Sequence, residues 1–220
     1  MFKAVIFDCD GVLVDSEKLA LEVELEVLAE LGLTFERDDY VLRFMGLSTD
    51  AFHAAIERES LKRLGRSIEA EVRGSERLRQ VMIEHLTEVP GALQVIAALR
   101  QPKAIASSGS RAGLERKLKQ TGLWDHFAPH VYSADHVANA KPAPDLFLYA
   151  AAALDIQPSG CLVLEDSVNG VIGAKAAGMT VWGFLGGGHA HDGLGERLIG
   201  AGAERLVKDW PEAARLLSQA

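Results

Sequence analysis

Cysteine is scarce in this chain, with only Cys9 and Cys161 among 220 residues, which excludes a disulfide framework. Both fall within apolar, strand-like runs and read as buried small hydrophobes in a reducing compartment. No apolar run is long enough to span a bilayer, so a membrane protein is not expected. Clusters of Lys and Arg are also missing, and the formal net charge is -8. A nucleic-acid partner is therefore not expected, because phosphate backbones are held by grouped cations. A small charged substrate held by local groups remains compatible with this balance. Met1 to Phe7 passes straight into a strand pattern with no basic stretch or small-residue cleavage site, so the cytoplasm is the default expectation. Internal repeats and low-complexity tracts are absent too.

What is present is enough apolar material for a sizeable core: 48% of the residues are hydrophobic, and the length permits one domain or one domain carrying an insert. Apolar runs too short for helices occur at Lys3 to Phe7, Lys103 to Ala106, His130 to Ser133, Cys161 to Leu164 and Thr180 to Phe184. They read as buried parallel strands. Helix-period segments at Gly91 to Arg100, Leu114 to Gln120, Asp145 to Leu154 and Val168 to Ala177 alternate with the later runs, as in a doubly wound sheet. Arg205 to Val207 is a weak candidate for an edge strand. The stretch from Ser16 to about Leu86 breaks the alternation, since it holds helix patterns alone. Ser16 is expected to cap a helix that ends near Gly32, and Ser48 another that ends near Gly65. The fold expected is α/β, a Rossmann-like parallel-sheet core (residues 1–15 and 87–220) with an inserted α-helical cap (16–86). Hinges are expected at Val14 to Glu17 and His85 to Pro90.

Four segments deliver reactive groups at the ends of these strands. Asp8 and Asp10, with Gly11 following, leave the first strand at its carboxyl end, the edge where open α/β sheets bind ligands. One carboxylate can attack phosphorus while a second protonates the leaving oxygen and then activates water. Ser107, in Ser107-Ser108-Gly109-Ser110, brings a hydroxyl and close-packed backbone N–H groups that suit phosphate oxygens. Lys141 precedes Pro142-Ala143-Pro144-Asp145 and offers an ammonium to offset negative charge. Glu165 and Asp166 end the Cys161 strand as hard oxygen ligands suited to Mg2+. Taken singly, each segment has a structural explanation: a charged turn, a helix cap or a solvated lysine. Their convergence at four strand ends is what points to in-line phosphoryl transfer.

Asp8-Cys-Asp-Gly-Val-Leu-Val-Asp-Ser-Glu17, Ser107, Lys141-Pro-Ala-Pro-Asp145 and Glu165-Asp-Ser-Val-Asn-Gly170 resemble the four ordered motifs of the haloacid dehalogenase superfamily. The resemblance implies a helical cap inserted after the first strand and a Mg2+-dependent reaction on a small phosphorylated metabolite. In that scheme Asp8 is nucleophile and metal ligand, Asp10 is general acid/base with its carbonyl on the metal, Asp166 is a further ligand and Glu165 a direct or water-mediated one. Ser107 and Lys141 hold the phosphoryl group, with Gly11, Glu17, Gly46, Ser108 and Asn169 around the substrate. Within the superfamily the chain is similar to the subgroup of β-phosphoglucomutase and sugar-phosphate phosphatases. Where the mutase has a histidine and an arginine in its cap, this chain has Ala20 and Thr49, which favours hydrolysis of a sugar phosphate or phosphorylated sugar acid. A phosphosugar mutase is the alternative, and a noncatalytic phosphate-binding module a more distant one. Carbon–halogen hydrolysis would leave Asp10 and the Glu165-Asp166 pair idle.

Other features have simpler readings. His189 and His191, after three glycines, are expected at the mouth of the site rather than as a metal pair. The cap loop from Arg43 to Ser48 is expected to face substrate, with Gly46 allowing close approach. Leu25, Leu28, Ile56 and Met82 read as cap core, and Glu22, Glu24, Glu26 and Glu30 as a solvated face. Oligomeric state is open.

Overall fold

The computed structural model describes residues 2–44, 49–73 and 76–219. In chain order, β1 (Ala4–Phe7) is followed by five helices: α1 (Ser16–Glu30), α2 (Arg37–Phe44), α3 (Thr49–Leu64), α4 (Glu69–Arg73) and α5 (Arg77–His85). The alternating part then runs α6 (Ala92–Ala98), β2 (Lys103–Ser107), α7 (Arg111–Gln120), α8 (Trp124–Phe127), β3 (Val131–Ser133), α9 (Asp145–Ala153), β4 (Cys161–Glu165), α10 (Val168–Ala176), β5 (Thr180–Phe184), α11 (Leu194–Gly200), β6 (Arg205–Val207) and α12 (Trp210–Leu217). The chain separates into two compact units, one made of Met1–Ser16 with Leu86–Ala220, the other of Glu17–His85. Among the described residues no helix is long and apolar enough to cross a membrane.

The first unit holds a six-stranded sheet in the order β3-β2-β1-β4-β5-β6, parallel at every pairing. Strand order reverses at β1, which has β2 on one side and β4 on the other, so the crevice beyond its carboxyl end is the topological switch point. Ala4–Phe7 is buried at every position because both faces of the sheet are covered. Ala4, Ile6, Ala104, Ala106 and Val163 pack with Leu146, Phe147, Val171 and Ala174 of α9 and α10. On the other face the Phe7 ring meets Phe127 and Trp210, each with centroids 5.8 Å away, and the Trp210 Nε1–H donates to the Val12 carbonyl at 3.0 Å. That last bond anchors α12 to the turn after β1 while keeping a buried indole satisfied.

The strands expected from the sequence are all present within a residue or so at their ends, including the weak run Arg205–Val207 at the sheet edge. In this unit three helices, α8, α11 and α12, go beyond that reading. Of these, α12 carried a legible start signal: Asp209 accepts a hydrogen bond from Glu212 N at 2.8 Å, with Pro211 in the first turn. Cys9 and Cys161 are both free and buried.

In the second unit, Leu21, Leu28, Leu33, Tyr40, Val41, Phe44, Ile56 and Ile68 form a core of their own. The acidic face is not uniformly solvated. Tyr40 donates its hydroxyl to Glu24 at 2.7 Å, and burial pushes the Glu24 carboxyl upward. Glu26 and Glu30 receive the Arg77 guanidinium at 2.7 and 2.5 Å. Gly46 and the Ser48 cap lie outside the described residues. Ser16, expected to cap α1, is instead its first residue and donates its hydroxyl to Asp10.

Candidate active site

Asp8 follows β1 directly, and its backbone N–H donates to Leu164 O at 3.0 Å, extending the pairing with β4. The chain then turns sharply, with Gly11 N donating to Val14 O at 2.8 Å and Leu13 N to Cys9 O at 2.8 Å. Gly11 takes a φ of +74°, and a Cβ there would overlap the Asp166 carboxylate. The turn thus lets a carboxylate from β4 lie directly on the backbone between Asp8 and Val12. Past the turn, Asp15 N bonds Thr87 O and Val89 N bonds Leu13 O, so the segments leaving and re-entering this unit run side by side.

Lys141 comes from the loop before α9, across a cis bond to Pro142, and its side chain is 3% exposed. Its ammonium lies 2.7 Å from Asp8 Oδ1 and also donates to Glu165 Oε1. Glu165 is fully buried, and its second oxygen accepts from Ser167 N and Oγ, each at 2.9 Å. A Cβ on Gly170 would overlap this carboxylate, so the start of α10 tolerates no side chain there. Ser107 is buried at the end of β2, where its Oγ accepts the Gly109 N–H at 3.1 Å. Ser108 is exposed in the loop after β2, and Asn169 is exposed in the first turn of α10. Glu17 belongs to the helical unit.

One position stands out that the sequence does not single out. Lys117, two turns into α7, donates to Asp10 Oδ1, which also receives the Ser16 hydroxyl. No motif marked Lys117, since a lysine on an amphipathic helix usually faces water; only the way α7 packs turns it to Asp10. His189 was expected at the mouth of the site and is instead buried, with Nε2 3.2 Å from Asp166 Oδ2. His191 bonds the Asp192 carbonyl through Nδ1.

The electrostatics are unbalanced toward negative charge. The Asp8 carboxyl is raised to about 7, with burial the largest cause; Lys141 pulls it down, and Glu165 and Asp10 push it up. Lys141 loses hydration by burial, yet its two carboxylate partners hold it firmly protonated. Asp8, Glu165 and Asp166 each offer an oxygen within 4.8 Å of the others. Buried hard oxygens with surplus negative charge fit a small divalent cation, because such an ion would restore the charge balance that one lysine leaves incomplete.

The model of the haloacid dehalogenase-like hydrolases matches residues 2–178. A phosphorylated carbohydrates phosphatase of Thermotoga maritima is 33% identical over 217 residues, covering 94% of each chain. SUPPRESSOR OF QUENCHING 1 of Arabidopsis thaliana is 35% identical over 191 residues, but the chain spans only 17% of that longer protein. Among solved structures, a HAD family hydrolase from Deinococcus radiodurans R1 with bound phosphate and sodium superimposes with a TM-score of 0.88 at 35% identity, covering 99% of this chain and 96% of that one.

Proposed function

We propose, from the premise that this chain belongs to the haloacid dehalogenase-like hydrolases, that it is a Mg2+-dependent phosphatase hydrolysing a small phosphorylated metabolite, a sugar phosphate or phosphorylated sugar acid, through an aspartyl-phosphate on Asp8. The observation that carries this reading is the meeting of Asp8, Lys141, Glu165 and Asp166 in one buried cluster at the switch point of the sheet. A phosphatase of phosphorylated carbohydrates among the similar proteins supports the substrate class.

In the first half-reaction an Asp8 oxygen attacks phosphorus and the ester P–O bond breaks, with the leaving alkoxide taking its proton from Asp10. Asp10, now ionised, takes a proton from water; the water oxygen attacks phosphorus, the P–O bond to Asp8 breaks, and inorganic phosphate leaves. Lys141 holds the attacking carboxylate and lies where it can meet a phosphoryl oxygen, and Glu165 keeps the ammonium aimed there. Ser107 and the N–H groups after β2 offer donors to the remaining oxygens. Ser16 and Lys117 hold Asp10 through one oxygen, leaving the other for proton transfer. Asp8, Asp166 and the Asp10 carbonyl would hold Mg2+, with Glu165 near them, and the ion when bound supplies positive charge against the phosphoryl oxygens.

Release of inorganic phosphate from a panel of phosphorylated sugars and sugar acids, dependent on Mg2+ and abolished in Asp8→Asn, is the expected result. Turnover by Asp8→Asn at the wild-type rate, or phosphorus NMR that finds an isomerised phosphosugar with no free phosphate, would overturn the reading.

A further inference from the structure

The loop after β5 does more than close the sheet edge. Gly186-Gly187-Gly188-His189 folds back over the turn that follows Asp8, and Gly188 N donates to Asp15 Oδ1 at 2.8 Å. A Cβ on Gly187 would come 2.5 Å from the Gly11 carbonyl and 2.8 Å from the His189 ring, so at Gly187 the loop lies against the turn with no room for a side chain. This close approach carries the imidazole into the interior, 8% exposed, with Nε2 3.2 Å from Asp166 Oδ2. Gly11 bounds the same space from below, since a Cβ there would lie 2.7 Å from His189 Cε1. Two loops from different strands thus meet around one histidine and one carboxylate.

We propose that His189 is a positioning residue for Asp166, donating its Nε2–H to Oδ2 so that the carboxylate is held in one orientation before a cation arrives. The proposal rests on the reading of Asp166 as a cation ligand. A carboxylate free to rotate would have to be ordered as the ion binds; one already held by a hydrogen bond avoids part of that cost. Groups that orient a ligand in this way matter for metal affinity, and losing one typically weakens binding 10–100-fold. The Asp15–Gly188 bond steadies the loop that carries the histidine, which ties the arrangement to the turn bearing Asp8 and Asp10.

The test is a titration of the purified full-length protein with Mn2+, followed by the electron paramagnetic resonance signal of the free ion, for the wild type, His189→Phe and His189→Gln. Phe fills the ring's space without a donor, whereas the Gln amide can still donate. His189→Phe is expected to bind Mn2+ about 10–100-fold more weakly, to regain kcat at saturating Mg2+, and to keep the KM of the phosphoester. His189→Gln is expected to stay close to the wild type. Mn2+ affinity in His189→Phe equal to the wild type, or the same loss in His189→Gln as in His189→Phe, would assign the ring to packing and overturn the proposal. Should His189→Phe fail to fold, His189→Met carries the same expectation and the same refutation. A wild type that neither binds Mn2+ nor releases phosphate sinks the reading of the site itself; a wild type that does both beside an unaffected His189→Phe sinks only the role of the histidine.

Discussion

Asp8 faces opposing demands. As the proposed nucleophile it has to be ionised, yet burial favours its neutral form, and burial is the largest influence on it. Its folded value of about 7 lies above the ordinary 3.8, so ionisation destabilises the fold. The sign follows: the penalty is absent below pH 4, grows as pH rises, and is complete above pH 7. Asp8→Asn removes it. Without metal this variant is therefore expected to melt higher than the wild type at pH 8, by a few degrees for a gain of about 1–2 kcal/mol, and the gain should shrink as pH falls toward 4. Calorimetry in EDTA across that range checks it; equal melting temperatures at pH 8 would refute it. On the proposed mechanism the same substitution costs the activity, so stability and function would pull apart at one residue. Asp8, Asp10, Ser107, Lys141 and Glu165 could be singled out from the sequence because reactive groups follow apolar strands at four places. Lys117 and Ser16 were not, since neither type of residue is unusual where it stands.

At the scale of elements, the N-terminus of α10 is built around a carboxylate. Glu165 is gripped by Lys141, Ser167 N and Ser167 Oγ, and Gly170 gives it the room it occupies. Gly170→Ala should cost more than about 2 kcal/mol, since its Cβ must displace a buried, paired charge, and should lower kcat by disturbing Lys141. Gly200→Ala, in α11, is the internal comparison, because a Cβ there meets nothing within 4 Å. It should be neutral or stabilise by up to about 1 kcal/mol through helix propensity. Urea unfolding of both variants measures the contrast, and a Gly170→Ala midpoint equal to that of Gly200→Ala would refute the crowding argument. Elements were read from the sequence most reliably where burial was two-sided, as in β1, β4 and β5, because such strands are continuous apolar runs. Short helices such as α8, with four residues, span barely one turn and leave no period to detect.

Across the whole molecule, the sheet seals both thiols. Cys9 lies under the turn after β1 with its thiol pushed well upward, burial being the main cause, and Cys161 begins the central strand β4. Neither is expected to react with a disulfide reagent in the native protein at pH 8, and both should become reactive together, at the rate of global unfolding, when urea is added. Reaction of one thiol well ahead of unfolding would show that this unit opens locally. A run of helix patterns that interrupts an alternation of strands and helices leads to the expectation of an inserted helical segment; the chain separates into Met1–Ser16 with Leu86–Ala220 and Glu17–His85. Sequence alone determined the α/β fold class, since this depends on hydrophobic period and on order along the chain. Only the tertiary structure decided which groups touch: Lys141 bridging Asp8 and Glu165, Lys117 reaching Asp10, and His189 buried on Asp166. Those contacts join residues as many as 133 positions apart, and their distances are set by how loops pack at a sheet edge, which no local pattern encodes.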